Sequence, residues 1–169
     1  MTAKVAVLMG SDSDLPVMRE AVEMLRRFEV PCEVRVLSAH RSPEATADFA
    51  RTARGEGFAC IIAGAGAAAH LAGVVAAHTS LPVIGVPLAA NDLGGLDALL
   101  ATVQMPAGVP VATVAVGKTG ARNAGLLAVE ILALADDDLR TKLDEYRAQQ
   151  TASVDDKNRR VQEELGTDS

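Results

Sequence analysis

Two hydrophobic rhythms alternate along this chain. Val5-Ala6-Val7-Leu8-Met9 is a short unbroken apolar run, the pattern of a strand covered on both faces, and it breaks at Gly10-Ser11-Asp12-Ser13-Asp14. From Pro16 the period changes. Met18, Ala21, Val22, Leu25 and Phe28 recur at helical spacing, while Arg19, Glu20, Glu23, Arg26 and Arg27 occupy the other side. The pair then repeats. Pro31 punctuates and a second strand runs to Leu37. A helix over about 43–54 follows, with Ser42 as cap and Pro43 in the first turn, stopped by Gly55 and Gly57. Residues 58–63 predict a third strand, and the run from Gly64 to His70 leads into a small-residue helix ending near Thr79. Residues 81–87 predict strand four and 96–103 the next helix. Residues 109–116 predict strand five, followed by the loop Gly117-Lys118-Thr119-Gly120 and a helix over about 121–134.

Five strands alternating with helices predict an α/β fold, a flavodoxin-like doubly wound five-stranded parallel sheet. Right-handed crossovers bring every strand-to-helix loop to one edge, so the Ser-Asp, His-Arg, Gly-Ala-Gly and Gly-Lys-Thr loops are expected to converge. The 169 residues suit one domain, with 1–134 as core and 135–169 as an extended C-terminal helix and tail. Asp136-Asp137-Asp138 suits the positive end of a new helix. Leu139, Leu143 and Tyr146 then form a stripe that the core does not need, and packing on another subunit would explain it. The tail beyond Val154 is charged, helical at first and frayed at its last residues.

Composition narrows the core and the partners. Apolar residues make up 49% of the chain, yet it has no Trp, one Tyr and three Phe, so Ala, Val, Leu and Ile must fill the interior. A net charge of -6 and a pI near 5.0 argue against a nucleic-acid surface. Cys32 and Cys60 lack metal spacing and read as reduced packing residues. The chain enters its first strand almost at once, without a signal-peptide pattern, and no apolar run reaches membrane-spanning length. The expectation is a cytoplasmic protein that does not bind membranes.

The chemistry concentrates in the loops. His40 can move protons near neutral pH, and the adjacent Arg41 is a permanent cation suited to phosphate or carboxylate; taken alone, the pair also reads as ordinary surface. Ser11, Ser13 and Asp14 suit a bound phosphate or ribose, with Ser13 as helix cap in the simpler reading. Gly64, Gly66 and Ala69 match a G-x-G-x-x-A fingerprint, but at the third strand rather than the first. Gly117-Lys118-Thr119 is not a P-loop, because Ala112 stands where its first glycine belongs. His70 opens a helix, either as a neutral hydrogen-bonding group in a pocket or as a cap. His78 reads as solvated, and the three histidines do not form a metal pattern. Gln104-Met105-Pro106 either closes over a pocket or ends a helix.

Met9-Gly10-Ser11 with Ser13-Asp14, Ser38-Ala39-His40-Arg41, Ala63-Gly64-Ala65-Gly66 with Ala68-Ala69-His70-Leu71, and Gln104-Met105-Pro106 with Gly108 and Pro110 together resemble the N5-carboxyaminoimidazole ribonucleotide mutase family of de novo purine synthesis. The resemblance spans nearly the whole chain. Ala67 and Ala72 depart from it, standing where the family usually has glycine and proline. It implies that a carboxyl group leaves nitrogen as carbon dioxide and is re-attached to the ring carbon of the same ribonucleotide, without metal or other cofactor. His40 and His70 would be catalytic. His40 would shuttle the proton, while His70 and the Ala65-Gly66 backbone hold the carboxylate or the trapped gas. Ser11 and Arg41 would take the phosphate and Asp14 the ribose, with Ser13, Ser38, Ala39, Gly64 and Leu71 completing the substrate site. The resemblance further implies a homo-octamer and functional coupling to the ATP-dependent synthetase that makes the substrate. Two other readings stay open: a direct carboxylase acting on aminoimidazole ribonucleotide and carbon dioxide, and a non-catalytic nucleotide-binding module of the same fold.

Overall fold

A computed structural model describes residues 3–166. Strands β1 (Lys4–Met9), β2 (Cys32–Val36), β3 (Phe58–Gly66), β4 (Val83–Leu88) and β5 (Ala112–Thr113) form one parallel sheet in the order β2-β1-β3-β4-β5, the flavodoxin-like arrangement read from the sequence. The helices are α1 (Leu15–Arg27), α2 (Pro43–Thr52), α3 (Leu71–His78), α4 (Leu96–Val103), α5 (Gly117–Ala133) and α6 (Asp137–Leu165). The chain separates into two compact units, Met1–Leu132 and Ala133–Ser169.

Alternation along the strands builds the two faces of the first unit. Ala6 and Leu8 of β1 share a buried cluster with Ile61 and Ala63 of β3, Phe49 and Ala50 of α2, and Leu71, Ala72 and Val75 of α3. Phe49 and Phe58, two of only three phenylalanines, meet edge to face at 5.4 Å. On the opposite face Met18 of α1 fills the space beside Gly64. Helices α1 and α5 approach closely at Gly125, where a Cβ would lie 2.8 Å from the Ala21 carbonyl oxygen. Small residues thus replace aromatics by letting backbones come together. In register, Met9 stands opposite both Val36 and Gly64, and Gly66 opposite Leu88, so the first four strands end nearly level.

Three boundaries differ from the sequence reading, while the extended C-terminal helix is present as expected. β3 continues through Gly64-Ala65-Gly66, because those residues still pair with Val86, Pro87 and Leu88 of β4. β5 shrinks to two paired residues at the sheet edge. The Gly-Lys-Thr-Gly segment is the first turn of α5 rather than a loop, and it follows the edge strand, so it does not join the other three loops. α6 runs on to Leu165, starting where the Asp136 carboxylate accepts from the Leu139 N-H at 3.0 Å and ending at a left-handed Gly166. The fraying expected of the last residues falls on 167–169, outside the described residues. Of the predicted stripe, Leu139 and Leu143 are buried and Tyr146 is half-buried.

Candidate active site

The turn after β1 organises itself. Ser11 caps a single 3-10 turn at Asp12–Asp14, its Oγ accepting from the Ser13 N-H at 3.3 Å while Asp14 Oδ2 accepts from the Ser11 N-H at 3.1 Å. The cap is therefore Ser11 and not Ser13, because this extra turn precedes α1. The Ser13 hydroxyl donates to Ser11 Oγ at 2.9 Å. Burial raises the Asp14 carboxyl above its ordinary value, outweighing the N-H groups of Ser11 and Gly10 and the Arg41 cation, which act the other way.

After β2 the chain folds back on Ser38. Ser42 Oγ accepts from the Ser38 N-H at 3.0 Å and donates to the Ser38 carbonyl at 3.1 Å, so it tightens this turn instead of capping α2 with its side chain. Ser38 Oγ accepts from the Arg41 N-H at 3.1 Å, and Arg41 Nη2 donates to the Gly10 carbonyl at 3.1 Å. The turn thus holds Arg41 against the β1 loop. His40, one residue earlier, faces the loop after β3.

That third loop is made tight by small residues. A Cβ on Gly66 would lie 2.4 Å from Ala90 Cβ and 3.1 Å from the Leu88 carbonyl oxygen. Ala67 takes a left-handed φ of 52°, and the N-H groups of Ala69 and His70 donate to the carbonyls of Ala67 and Ala68 at 2.8 Å each. His70 sits at the start of α3 without capping it by its side chain. Its Nδ1 instead lies 2.8 Å from His40 Nε2, with ring centroids 4.9 Å apart and the planes 80° from parallel.

These loops surround a cavity of about 540 Å³. Ser11, Ser13, Asp14, Ser38, Ala39, His40, Arg41, Ala65, Gly66, His70 and Leu71 line it, as the sequence predicts. Gly64 does not: a Cβ there would lie 2.2 Å from Met18 Sδ, so its bareness serves the packing of α1. Gly10, Ala68 and Ala90 also line the cavity and were missed. Gly10 stands within the Met9-Gly10-Ser11 motif and Ala90 follows β4 at the carboxyl edge, but neither carries a titratable side chain. Gln104 ends α4, and Met105 packs at Gly73 of α3. His78 lies in the last turn of α3, away from the cavity-facing end. A second hollow of about 420 Å³ shares Gly10, Ser11, Ser38 and Arg41 with the first. Among the described residues no group of three His, Cys, Asp or Glu side chains is placed to hold a metal ion.

The geometry divides the work. Arg41 and the serine turn offer a cation, hydroxyls and N-H groups to an anionic end of a ligand, and the imidazole pair offers a movable proton near the glycine turn.

A family model described as AIR carboxylase matches residues 4–153. The N5-carboxyaminoimidazole ribonucleotide mutase of Pyrococcus abyssi is 58% identical over 144 residues, covering 85% of this chain and 82% of that protein. The chloroplastic phosphoribosylaminoimidazole carboxylase of Vigna aconitifolia is 56% identical over 147 residues, 87% of this chain but 26% of the longer plant protein. The crystal structure of Treponema denticola PurE superimposes with a TM-score of 0.85 at 24% identity, covering 94% of this chain and 98% of that one, which establishes the common fold. With the family model covering most of its length and relatives above half identity, the chain belongs to the AIR carboxylase family.

Proposed function

We propose that this protein is an isomerase of purine biosynthesis that converts N5-carboxyaminoimidazole ribonucleotide to 4-carboxy-5-aminoimidazole ribonucleotide. The observation that carries the reading is an imidazole, His40, in the same cavity as Ser11, Ser13 and Arg41, in a chain 58% identical to an N5-carboxyaminoimidazole ribonucleotide mutase. His40 delivers a proton to the substrate nitrogen as the carbon-nitrogen bond to the carboxyl group breaks and carbon dioxide leaves. The ring carbon then attacks the retained carbon dioxide, and His40 removes the proton that this carbon carried. No net proton is consumed. The Arg41 cluster takes the phosphate and Asp14 the ribose, so remote binding restricts the reacting end. The Ala65-Gly66 backbone and His70 flank the carboxyl group.

Further expectations attach to this reading. The protein is a cytoplasmic homo-octamer, coupled in function to the ATP-dependent synthetase that makes its substrate. Exposed apolar residues support an assembly: Leu93, Leu96, Leu100 and Val103 on and beside α4, and Val34 and Val36 on the edge strand β2. No described helix is long and apolar enough to cross a membrane. Native mass measurement tests the assembly, and a strict monomer would remove it.

The plant relative's name keeps direct carboxylation as the rival reading. Assaying both substrates separates the two. Product from the N5-carboxy compound is expected; product only from aminoimidazole ribonucleotide with bicarbonate would overturn the assignment. His40→Asn should lower turnover by roughly 100- to 10,000-fold, the usual worth of a general acid-base. Its thermal midpoint should stay close to that of the parent because the side chain is exposed. Near-normal turnover would exclude His40 as the proton carrier.

A further inference from the structure

Two ring nitrogens 2.8 Å apart leave room for one proton between them. One ring must donate and the other accept, and two fully protonated rings would set N-H against N-H. While the contact lasts, the pair therefore carries at most one positive charge. Position decides which ring accepts: His70 is the N-cap residue of α3, and the positive end of the helix dipole favours an acceptor nitrogen over a donor there.

We infer that His70 is a positioning residue whose Nδ1 lone pair holds the proton of His40 Nε2 in the free enzyme, fixing the orientation of the protonated ring from which His40 reacts. This rests on the proposed function, and it replaces a direct hold on the carboxyl group by His70 with a hold on His40. The arriving substrate nitrogen is presented to the same N-H, which His70 Nδ1 goes on orienting until the proton is transferred. As carbon dioxide leaves, the His40 imidazolium gives that proton to the substrate nitrogen as its new N-H, and the ring is left neutral, with Nδ1-H and a lone pair on Nε2. Two lone pairs then face each other across the former contact, so His40 is turned toward the substrate. After the new carbon-carbon bond forms, Nε2 takes the ring-carbon proton, and the bond to His70 re-forms on product release. The ring needs no second exchange with water, because one nitrogen gives and receives.

The test compares His70→Leu, which fills space without an acceptor, with His70→Gln, which restores an acceptor oxygen. Turnover of the N5-carboxy substrate should fall on the order of 10- to 100-fold in the leucine variant, the range for losing a hydrogen bond to a charged group, with KM nearly constant. The glutamine variant should recover most of it. Nitrogen-15 spectra of the free proteins give a readout independent of activity: the hydrogen-bonded His40 Nε2-H signal should be present in the parent, lost with leucine and regained with glutamine. If leucine instead raises KM at constant kcat, His70 holds the substrate directly and the inference falls. An unchanged His40 signal or unchanged kinetics in the leucine variant overturns it as well. A parent enzyme that shows the paired signal but does not turn over the N5-carboxy substrate would refute the functional reading while leaving the pairing intact.

Discussion

Gly64 and Gly66 lie two residues apart on β3, yet one belongs to the interior and the other to the cavity. Below, the strand from Phe58 to Gly64 is sealed between helices, and the missing side chain of Gly64 is replaced by Met18 of α1, itself fully buried. Above, Gly66 and Ala67 turn the chain past Ala90 and deliver His70 to His40. Residue spacing alone makes both look like ligand-approach glycines. The distinction arises from what each missing Cβ makes room for, so substitutions at the two ends should fail in different ways.

Gly64→Val should have the largest effect on stability. Its Cβ would overlap the Met18 side chain, and overpacking of this kind costs roughly 1–3 kcal/mol. The loss should appear as a lower urea midpoint and be partly relieved by Met18→Ala, while the protein that remains folded keeps its turnover. An unchanged midpoint would show that α1 does not rest on β3 at this point. At the other end Ala67→Gly should act in the opposite direction. A left-handed alanine costs about 1–2 kcal/mol, partly offset by the roughly 0.4–1 kcal/mol of extra chain entropy that glycine loses on folding. A net gain of about 0.5–1 kcal/mol in denaturant titration, with turnover unaffected, is the expected outcome. A loss of stability would mean that the loop tolerates the alanine without strain. The alanine at this position is also one of the two departures from the family pattern, so the same variant tests whether that departure has a cost.

Period and punctuation made the sheet legible because the buried strands are continuous apolar runs and helices such as α1 and α2 show one wet face. They failed where geometry depends on pairing partners. Gly64-Ala65-Gly66 reads as a loop until β4 is placed beside it, and the long apolar run over 109–116 cannot reveal that only Ala112 and Thr113 reach the sheet. The site was legible through its polar side chains, His40, Arg41, Ser11, Ser13 and Asp14, since strand-to-helix loops must meet at one edge. Ala90 was not legible, because an alanine in a loop has no chemical signature. The bond between His40 and His70 was hidden too, because thirty residues of chain separate the rings and only the tight turn at Ala67 brings them together.

Asp14 should give the smallest effect and the finest test of how the cavity edge differs from the interior. Its carboxyl is raised above the ordinary aspartate value of 3.8, chiefly by burial, so the folded protein binds this proton more readily than the unfolded chain. As pH climbs through 3.8 toward the folded value, the folded state holds more protons, and the contribution of this group to stability falls. Above that window the ionised form persists as a constant cost, kept small by its solvent exposure. Asp14→Asn retains an acceptor for the Ser11 N-H but carries no charge. Relative to the parent, the variant should therefore gain stability from acid to neutral pH, by less than about 1 kcal/mol for a group so screened. If Asp14 holds ribose hydroxyls as proposed, substrate binding should weaken in the same variant that folds slightly better. A parent that gains on the variant as pH rises would reverse the sign and show that Arg41 and the N-H groups, rather than burial, govern this carboxylate.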